Sequence, residues 1–179
     1  MALSTEGTIF SSPAYYNSTV FFGSADGKFY AVNAETGEEK WNFSVGDSSS
    51  ASAIGYHSVF FGSDDGYFYS LKIESGHLIW KRNLTDYGGY SAPAIADGKV
   101  YAATESGEVY ALNALTGNTA WSFKAQSQQE TVTDFAIGAN KGLYLGMGNT
   151  LYCFGKENIP PYMNFVSVEN TGEDYTIQW

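Results

Sequence analysis

Apolar runs of five or six residues, rich in aromatic and β-branched side chains, recur along the chain between brief polar segments. One set reads TVFFGS from Thr19, SVFFGS from Ser58, KVYAAT from Lys99 and GLYLGM from Gly142. A second set follows each of these: KFYAVN from Lys28, YFYSLK from Tyr67, EVYALN from Glu108 and TLYCFG from Thr150. Between the two sets stand Asp26-Gly27, Asp65-Gly66, Ser106-Gly107 and Gly148-Asn149. Such runs predict short strands joined as hairpins. Glycine and asparagine tolerate the positive φ that a two-residue turn needs, and two-residue turns are expected at these places. A smaller set precedes them all: SSPAYY from Ser11, SASAIG from Ser50, SAPAIA from Ser91 and TDFAIG from Thr133. It puts Ala14, Ala53, Ala94 and Ala136 at one register. The strands are continuously apolar rather than alternating, which predicts sheets covered on both faces.

A fourth run closes each of the first three units. AVNAETGEEKW spans Ala31 to Trp41, SLKIESGHLIW spans Ser70 to Trp80, and ALNALTGNTAW spans Ala111 to Trp121. A tyrosine precedes each copy. From Tyr30 to Tyr69 is 39 residues, from Tyr69 to Tyr110 is 41, and from Tyr110 to Tyr152 is 42. Four strands in roughly 40–45 residues is the signature of one blade of a β-propeller. The prediction is an all-β propeller of four-stranded blades in a partial ring of about three to four blades. The blades fall near residues 10–47, 48–87, 88–128 and 129–157. The small residues of the first run belong on the innermost strand, where neighbouring blades converge.

The eleven-residue run resembles the tryptophan-docking motif of pyrroloquinoline-quinone-type propeller repeats, Ala-x-Asp-x-x-Thr-Gly-x-x-x-Trp. Ala31, Thr36, Gly37 and Trp41 match it, as do Ala111, Thr116, Gly117 and Trp121; the middle copy has Ser70, Ser75, Gly76 and Trp80. Asn33, Lys72 and Asn113 replace the family's aspartate. Asparagine can still accept a hydrogen bond in the turn and lysine cannot. The resemblance implies that the glycine turns the chain into the fourth strand. It also implies that the tryptophan buries its ring between blades and donates its indole N–H to a neighbouring carbonyl. Family members that are quinoprotein dehydrogenases hold pyrroloquinoline quinone and calcium at the axis. They use a disulfide between adjacent cysteines, a stacking tryptophan and an aspartate base. A single cysteine, Cys153, removes that disulfide.

Composition adds exclusions. With 9 basic and 19 acidic residues the net charge is −10, which repels phosphate backbones, so no nucleic-acid partner is expected. No apolar run reaches the length of a membrane span. Cys153 lies in LYCF and is expected as a buried small hydrophobe. Asp64-Asp65-Gly66 lacks the alternating oxygen ligands of a calcium loop and reads as a hairpin turn. His57 and His77 fall on turns with no nucleophile motif nearby. Asn17-Ser-Thr, Asn42-Phe-Ser and Asn83-Leu-Thr fit the glycosylation pattern of an exported chain, a pattern that also arises by chance. Tyr87 and Tyr90, in DYGGY, form an aromatic cluster suited to ligand or partner contact; the competing reading is a loop whose rings cover the blade edge.

Pro160-Pro161 ends the propeller run, taken as residues 1–157. Residues 158–179 then read as a linker and the start of an immunoglobulin- or fibronectin-like module, with strands near Phe165–Val168 and Tyr175–Trp179. The other reading makes them the missing outer strand of the fourth blade. The expected function is a non-catalytic binding or scaffold propeller of an exported or cell-surface protein, acting through protein–protein or glycan contacts. The alternative is part of a quinone- and calcium-dependent alcohol dehydrogenase. No cofactor is expected, and a second copy that completes the ring is a further candidate partner.

Overall fold

The structure is a computed structural model that describes residues 3–46, 49–85, 89–125, 132–138 and 142–154, with the backbone of 168–170 and 175–177. The fold is an all-β propeller arrangement. Blade 1 is β1 (Ala14–Tyr16), β2 (Thr19–Ser24), β3 (Lys28–Asn33) and β4 (Glu39–Ser44). Blade 2 is β5 (Ala53–Gly55), β6 (Ser58–Gly62), β7 (Tyr67–Lys72) and β8 (Leu78–Asn83). Blade 3 is β9 (Ala94–Ala96), β10 (Lys99–Ala103), β11 (Glu108–Asn113) and β12 (Thr119–Lys124). Each is an antiparallel sheet in chain order. Blade 4 has three strands among the described residues: β13 (Ala136–Ile137), β14 (Leu143–Met147) and β15 (Thr150–Phe154). A separate pair, β16 (Val168–Asn170) and β17 (Tyr175–Ile177), is antiparallel. Residues 165–167 and 178–179 of the two expected strands lie outside the described residues.

The innermost strands β1, β5, β9 and β13 lie side by side, each against the next. The continuous apolar runs have the predicted consequence: both faces of β6, from Ser58 to Gly62, are buried. The core lies between blades. Phe21, Phe29, Ala31 and Trp41 meet Val59, Phe61, Leu71 and Ile73 across the first boundary. Phe29 and Phe61 stack there with ring centroids 3.9 Å apart. Phe60, Phe68 and Trp80 meet Val100, Ala102, Leu112 and Ala114 across the second. Burying one such ring is worth about 1.5–3 kcal/mol.

The turns differ from expectation. The Asp-Gly and Ser-Gly sites are three-residue loops, because β2 and β3 pair as far as Ser24↔Lys28, leaving Ala25, Asp26 and Gly27 between them. Gly27 takes positive φ and its N–H reaches Ser24 O at 3.2 Å. The two-residue turns sit instead between the first and second strands, at Asn17-Ser18, Tyr56-His57 and Asp97-Gly98, all with positive φ. That pair of left-handed residues matches the twist of the flanking strands, and it overrides the reluctance of Tyr56 and His57 to adopt the conformation. Only Gly148-Asn149 matches the expected turn, closing Met147↔Thr150.

In three blades the pairing of third and fourth strands slips beside the tryptophan. Ala31 faces Trp41 while Val32 faces Glu39, and Ser70/Trp80 and Ala111/Trp121 repeat the shift. The residue across from the indole is fully buried in each case, which explains why it is small. Ser70 carries a hydroxyl into that place, and its Oγ has no hydrogen-bond partner. Replacing Ser70 by alanine, the residue of the other two blades, is expected to raise stability by about 1 kcal/mol, since a buried unpaired hydroxyl is removed at little cost in volume. Urea unfolding of S70A against the parent measures it.

Candidate functional site

The tryptophan of one motif meets the turn of the next across the blade boundary, while its other residues pair within their own blade. Trp41 donates its indole Nε1–H to Ile73 O at 2.9 Å, and Trp80 donates to Ala114 O at 3.0 Å. Each ring lies on the turn glycine of the next blade. A Cβ on Gly76 would stand 2.6 Å from Trp41 Cε3, and one on Gly117 would stand 2.6 Å from Trp80 Cδ2. Both glycines also have positive φ, so two constraints select glycine at once. Trp121 is half-buried and stacks on Phe154 of blade 4. Ala31 and Ala111 lie opposite their tryptophans. Thr36 and Thr116 stand in the turns, where their N–H groups donate to Asn33 Oδ1 and Asn113 Oδ1, both at 3.0 Å. The substitution at Lys72 acts as expected: that turn, with Ser75, closes on backbone alone, Gly76 N to Lys72 O at 2.9 Å.

Arg82, which the sequence did not single out, strengthens the second boundary by donating to Gly117 O at 2.9 Å and Thr116 O at 3.1 Å. It stands two residues after Trp80, where Phe43 and Phe123 stand in the other blades. No spacing signal distinguishes it.

The repeat tyrosines bond to acidic residues in or beside the hairpin turn. Tyr30 donates to Asp26 Oδ2 at 2.7 Å, Tyr69 to Asp65 Oδ2 at 2.6 Å, and Tyr110 to Glu108 Oε2 at 3.1 Å. Asp65 also accepts Tyr67 N and Gly46 N, both at 3.0 Å, so it tethers the segment entering blade 2. Burial pushes the Asp65 carboxyl upward, but these donors outweigh it and hold it below its ordinary value. Asp65 is thus a hairpin residue, as expected from its spacing. Burial first, and then the neighbouring carboxylate, push Tyr30 and Tyr110 up to about 12, and Tyr69 is raised for the same reasons.

Tyr90 is not an exposed contact residue. It is 9% exposed, its ring covers Gly62, and its hydroxyl donates to Gly66 O at 2.7 Å. Glycine at position 62 leaves room for the ring, and that pairing is tertiary, so the local sequence DYGGY could not reveal it. Tyr87 lies outside the described residues. Cys153, expected buried, is half-buried, because it faces away from blade 3.

A shallow groove lies where the segments entering the four innermost strands converge. The groove, of about 290 Å³, is lined by Phe10–Ser12, Ser49–Ala51, Tyr90, Ala92 and Asp134. Its frame is a phased row of hydroxyl residues. Ser11 Oγ accepts Gly23 N at 2.8 Å, Ser50 Oγ accepts Gly62 N at 3.1 Å, and Thr133 Oγ1 accepts Gly146 N at 3.0 Å. In blade 3 the Ser91 N–H donates to Ala103 O at 3.0 Å, the backbone bond that Ser50 N and Thr133 N also make to Gly62 O and Gly146 O at 2.9 Å. Among the described lining residues Asp134 is the one carboxylate, and it accepts Ala92 N at 2.8 Å across the blade boundary. Ser49 Oγ is buried without a partner. The groove can offer hydroxyls and carbonyls to a ligand. Among the described residues that line it there is no acid–base pair and no nucleophile–base pair.

The described residues do not fit the family's quinone and calcium. No group of three His, Cys, Asp or Glu side chains capable of holding a metal occurs among the described residues. The indole N–H groups of Trp41 and Trp80 are committed to carbonyls between blades.

Phased four-stranded blades of this kind define a repeat protein of the pyrroloquinoline-quinone type. The chain belongs to the family described as outer membrane protein assembly factor BamB, whose profile matches residues 2–58 and 47–154. No sequence match is found among curated proteins. Among solved structures, BamB from Moraxella catarrhalis is similar with a TM-score of 0.74 at 22% identity, over 83% of this chain and 50% of that one. The chain therefore spans about half of that relative. The computationally designed Ika4 protein gives 0.74 at 18% identity, over 86% of this chain and 94% of that one. Quinohemoprotein alcohol dehydrogenase from Comamonas testosteroni gives 0.69 at 14%, over 83% of this chain and 33% of that one.

Two outcomes follow from the boundary geometry. Trp80→Ala is expected to cost about 3–5 kcal/mol, and Trp121→Ala distinctly less because its ring is only half-buried; chemical denaturation of both variants measures the difference. The raised tyrosines favour the protonated form in the folded state. Their stabilisation is full below the unfolded value near 10 and is lost as pH rises towards 12. Alkaline titration should therefore show phenolate absorbance and loss of β circular dichroism rising together between pH 10 and 12, with Tyr30→Phe reducing the coupling.

Proposed function

We propose that this chain is a non-catalytic propeller scaffold of an exported or cell-envelope protein, and that its axial groove receives a segment of a protein partner. In this reading the tryptophan motif has a structural role, holding successive blades in register around that groove. The observation that carries the proposal is the wall of the groove: hydroxyls, backbone carbonyls and alanines from four repeats, with one carboxylate already bonded to backbone. Such a surface suits an extended peptide, which brings its own donors and acceptors. It does not suit a reaction that needs a base and a metal. Residues 158–179 belong, in the same reading, to a linker and a following module. The name of the Moraxella relative, an assembly factor of the outer membrane, supports a protein partner and an envelope location.

The competing reading, part of a quinone-dependent dehydrogenase, draws on the likeness to the Comamonas enzyme. Titration with pyrroloquinoline quinone and calcium separates the two. No saturable change in absorbance is expected, and tight stoichiometric binding would overturn the scaffold reading. A displayed library of unstructured peptides supplies the positive arm. Binders enriched on the parent protein are expected to lose roughly tenfold or more in affinity on Ala51→Arg and Ala92→Arg, whose side chains fill the groove.

A further inference from the structure

The two outermost blades leave matching features unfilled. Inside the chain the first two boundaries near the axis use the same knob and hole. The residue just before the inner-strand hydroxyl reaches back over the second strand of the preceding blade. Ser49 sits over Gly23 and Tyr90 sits over Gly62, each in the space a Cβ would take. At the third boundary Val132 packs against the cluster that contains Ala103. Phe10 holds this register in blade 1, one residue before Ser11. Its ring is 76% exposed, whereas Ser49 and Tyr90 are 6% and 9% exposed.

Blade 4 has the converse. Gly146 corresponds to Gly23 and Gly62, yet the closest side chain to it is Thr133 of its own blade. Among the described residues no knob from a further blade covers it. Around it Tyr144, Leu151 and Cys153 occupy the register of Phe21, Phe29 and Ala31. Those three are fully buried in blade 1; Leu151 is 42% exposed, and Tyr144 and Cys153 are half-buried.

The segment leading into blade 1 completes the correspondence. Glu6 N donates to Asp26 Oδ2 at 3.2 Å, as Gly46 N donates to Asp65 Oδ2 at 3.0 Å. Leu3 packs on the cluster containing Tyr30, as Phe43 packs on Tyr69. This arm thus lies on blade 1 as the end of an outer strand lies on the next blade, and blade 4 shows three strands among the described residues. Ala34, which corresponds to the indole-covered Ile73 and Ala114, is exposed.

We propose that two copies of the chain associate head to tail, with Phe10 of each copy seated over Gly146 of the other. The proposal rests on the propeller reading above and adds the partner and its contact. A second copy is the occupant because knob, hole and arm repeat the boundary that already joins blades within one chain. Two copies of four blades make eight, the upper end of the usual range of about 4–8 blades, and three copies exceed it. The contact is heterologous, and only closure of the ring prevents it from propagating.

Sedimentation velocity over a concentration series tests this. The parent is expected at twice the 19.5 kDa of the chain. Phe10→Asp and Leu151→Asp, at opposite ends, should each raise the dissociation constant by at least roughly tenfold. Both side chains are exposed, so each variant should keep the parent's circular dichroism. A monomeric parent with an intact β spectrum overturns the assembly and leaves the scaffold reading standing. A dimer indifferent to Phe10→Asp, or open polymers in place of dimers, also overturns it. A parent lacking the β spectrum defeats both readings.

Discussion

The architecture depends on the close approach of an indole ring to a turn glycine in the next blade. A flat ring can lie on a backbone only where no Cβ intervenes, and Gly76 and Gly117 supply that opening under Trp41 and Trp80. The same turn offers a carbonyl to the indole N–H, so the polar edge of the ring is satisfied while its face is buried. The strand that carries the ring must slip by one residue to present it, and the residue opposite must be small. Motif spacing, bulge and alanine are therefore consequences of one contact. Where the next turn contributes no such glycine among the described residues, beside Trp121, the ring is less completely buried.

Nearer the axis a second contact repeats with different chemistry. In blades 1, 2 and 4 a hydroxyl clamps the inner segment to its own second strand, while Ser49 and Tyr90, each one residue before such a position, lean on the blade behind. This division of labour fixes both the tilt of each inner strand and the spacing of adjacent blades. The groove is what remains between the converging segments. Its polarity is largely that of the clamps themselves, which explains why it is rich in serine without being a catalytic serine site. The acidic residues in or beside the hairpin turns have a comparable role at the third strands, where Asp26, Asp65 and Glu108 each hold the tyrosine that opens the motif.

Much of the fold was legible in the chain. The period of 39–42 residues, four runs per period and continuous apolar strands specify stacked four-stranded sheets, because these are local and periodic features. The glycine and tryptophan of each motif were also legible, since one spacing recurs three times. Asparagine as the turn acceptor followed from its side-chain chemistry alone, as did the different turn at Lys72. Turn lengths were misplaced because Asp-Gly serves both two- and three-residue loops, and strand register makes the choice.

What the sequence by itself determined is the repeating unit: its strands, their order and the residues that must be small or flat. Only the tertiary structure decided what each unit's edge residues meet. Tyr90 reads as an exposed loop aromatic and is a buried wedge, because the glycine that admits it lies 28 positions earlier, at Gly62, in another blade. Arg82 and Asp134 bridge boundaries for the same reason. The axial groove belongs to no repeat, since it forms where four of them converge. Periodicity reports contacts made within a unit, whereas a contact between units depends on the shape of both surfaces, and no local pattern encodes that.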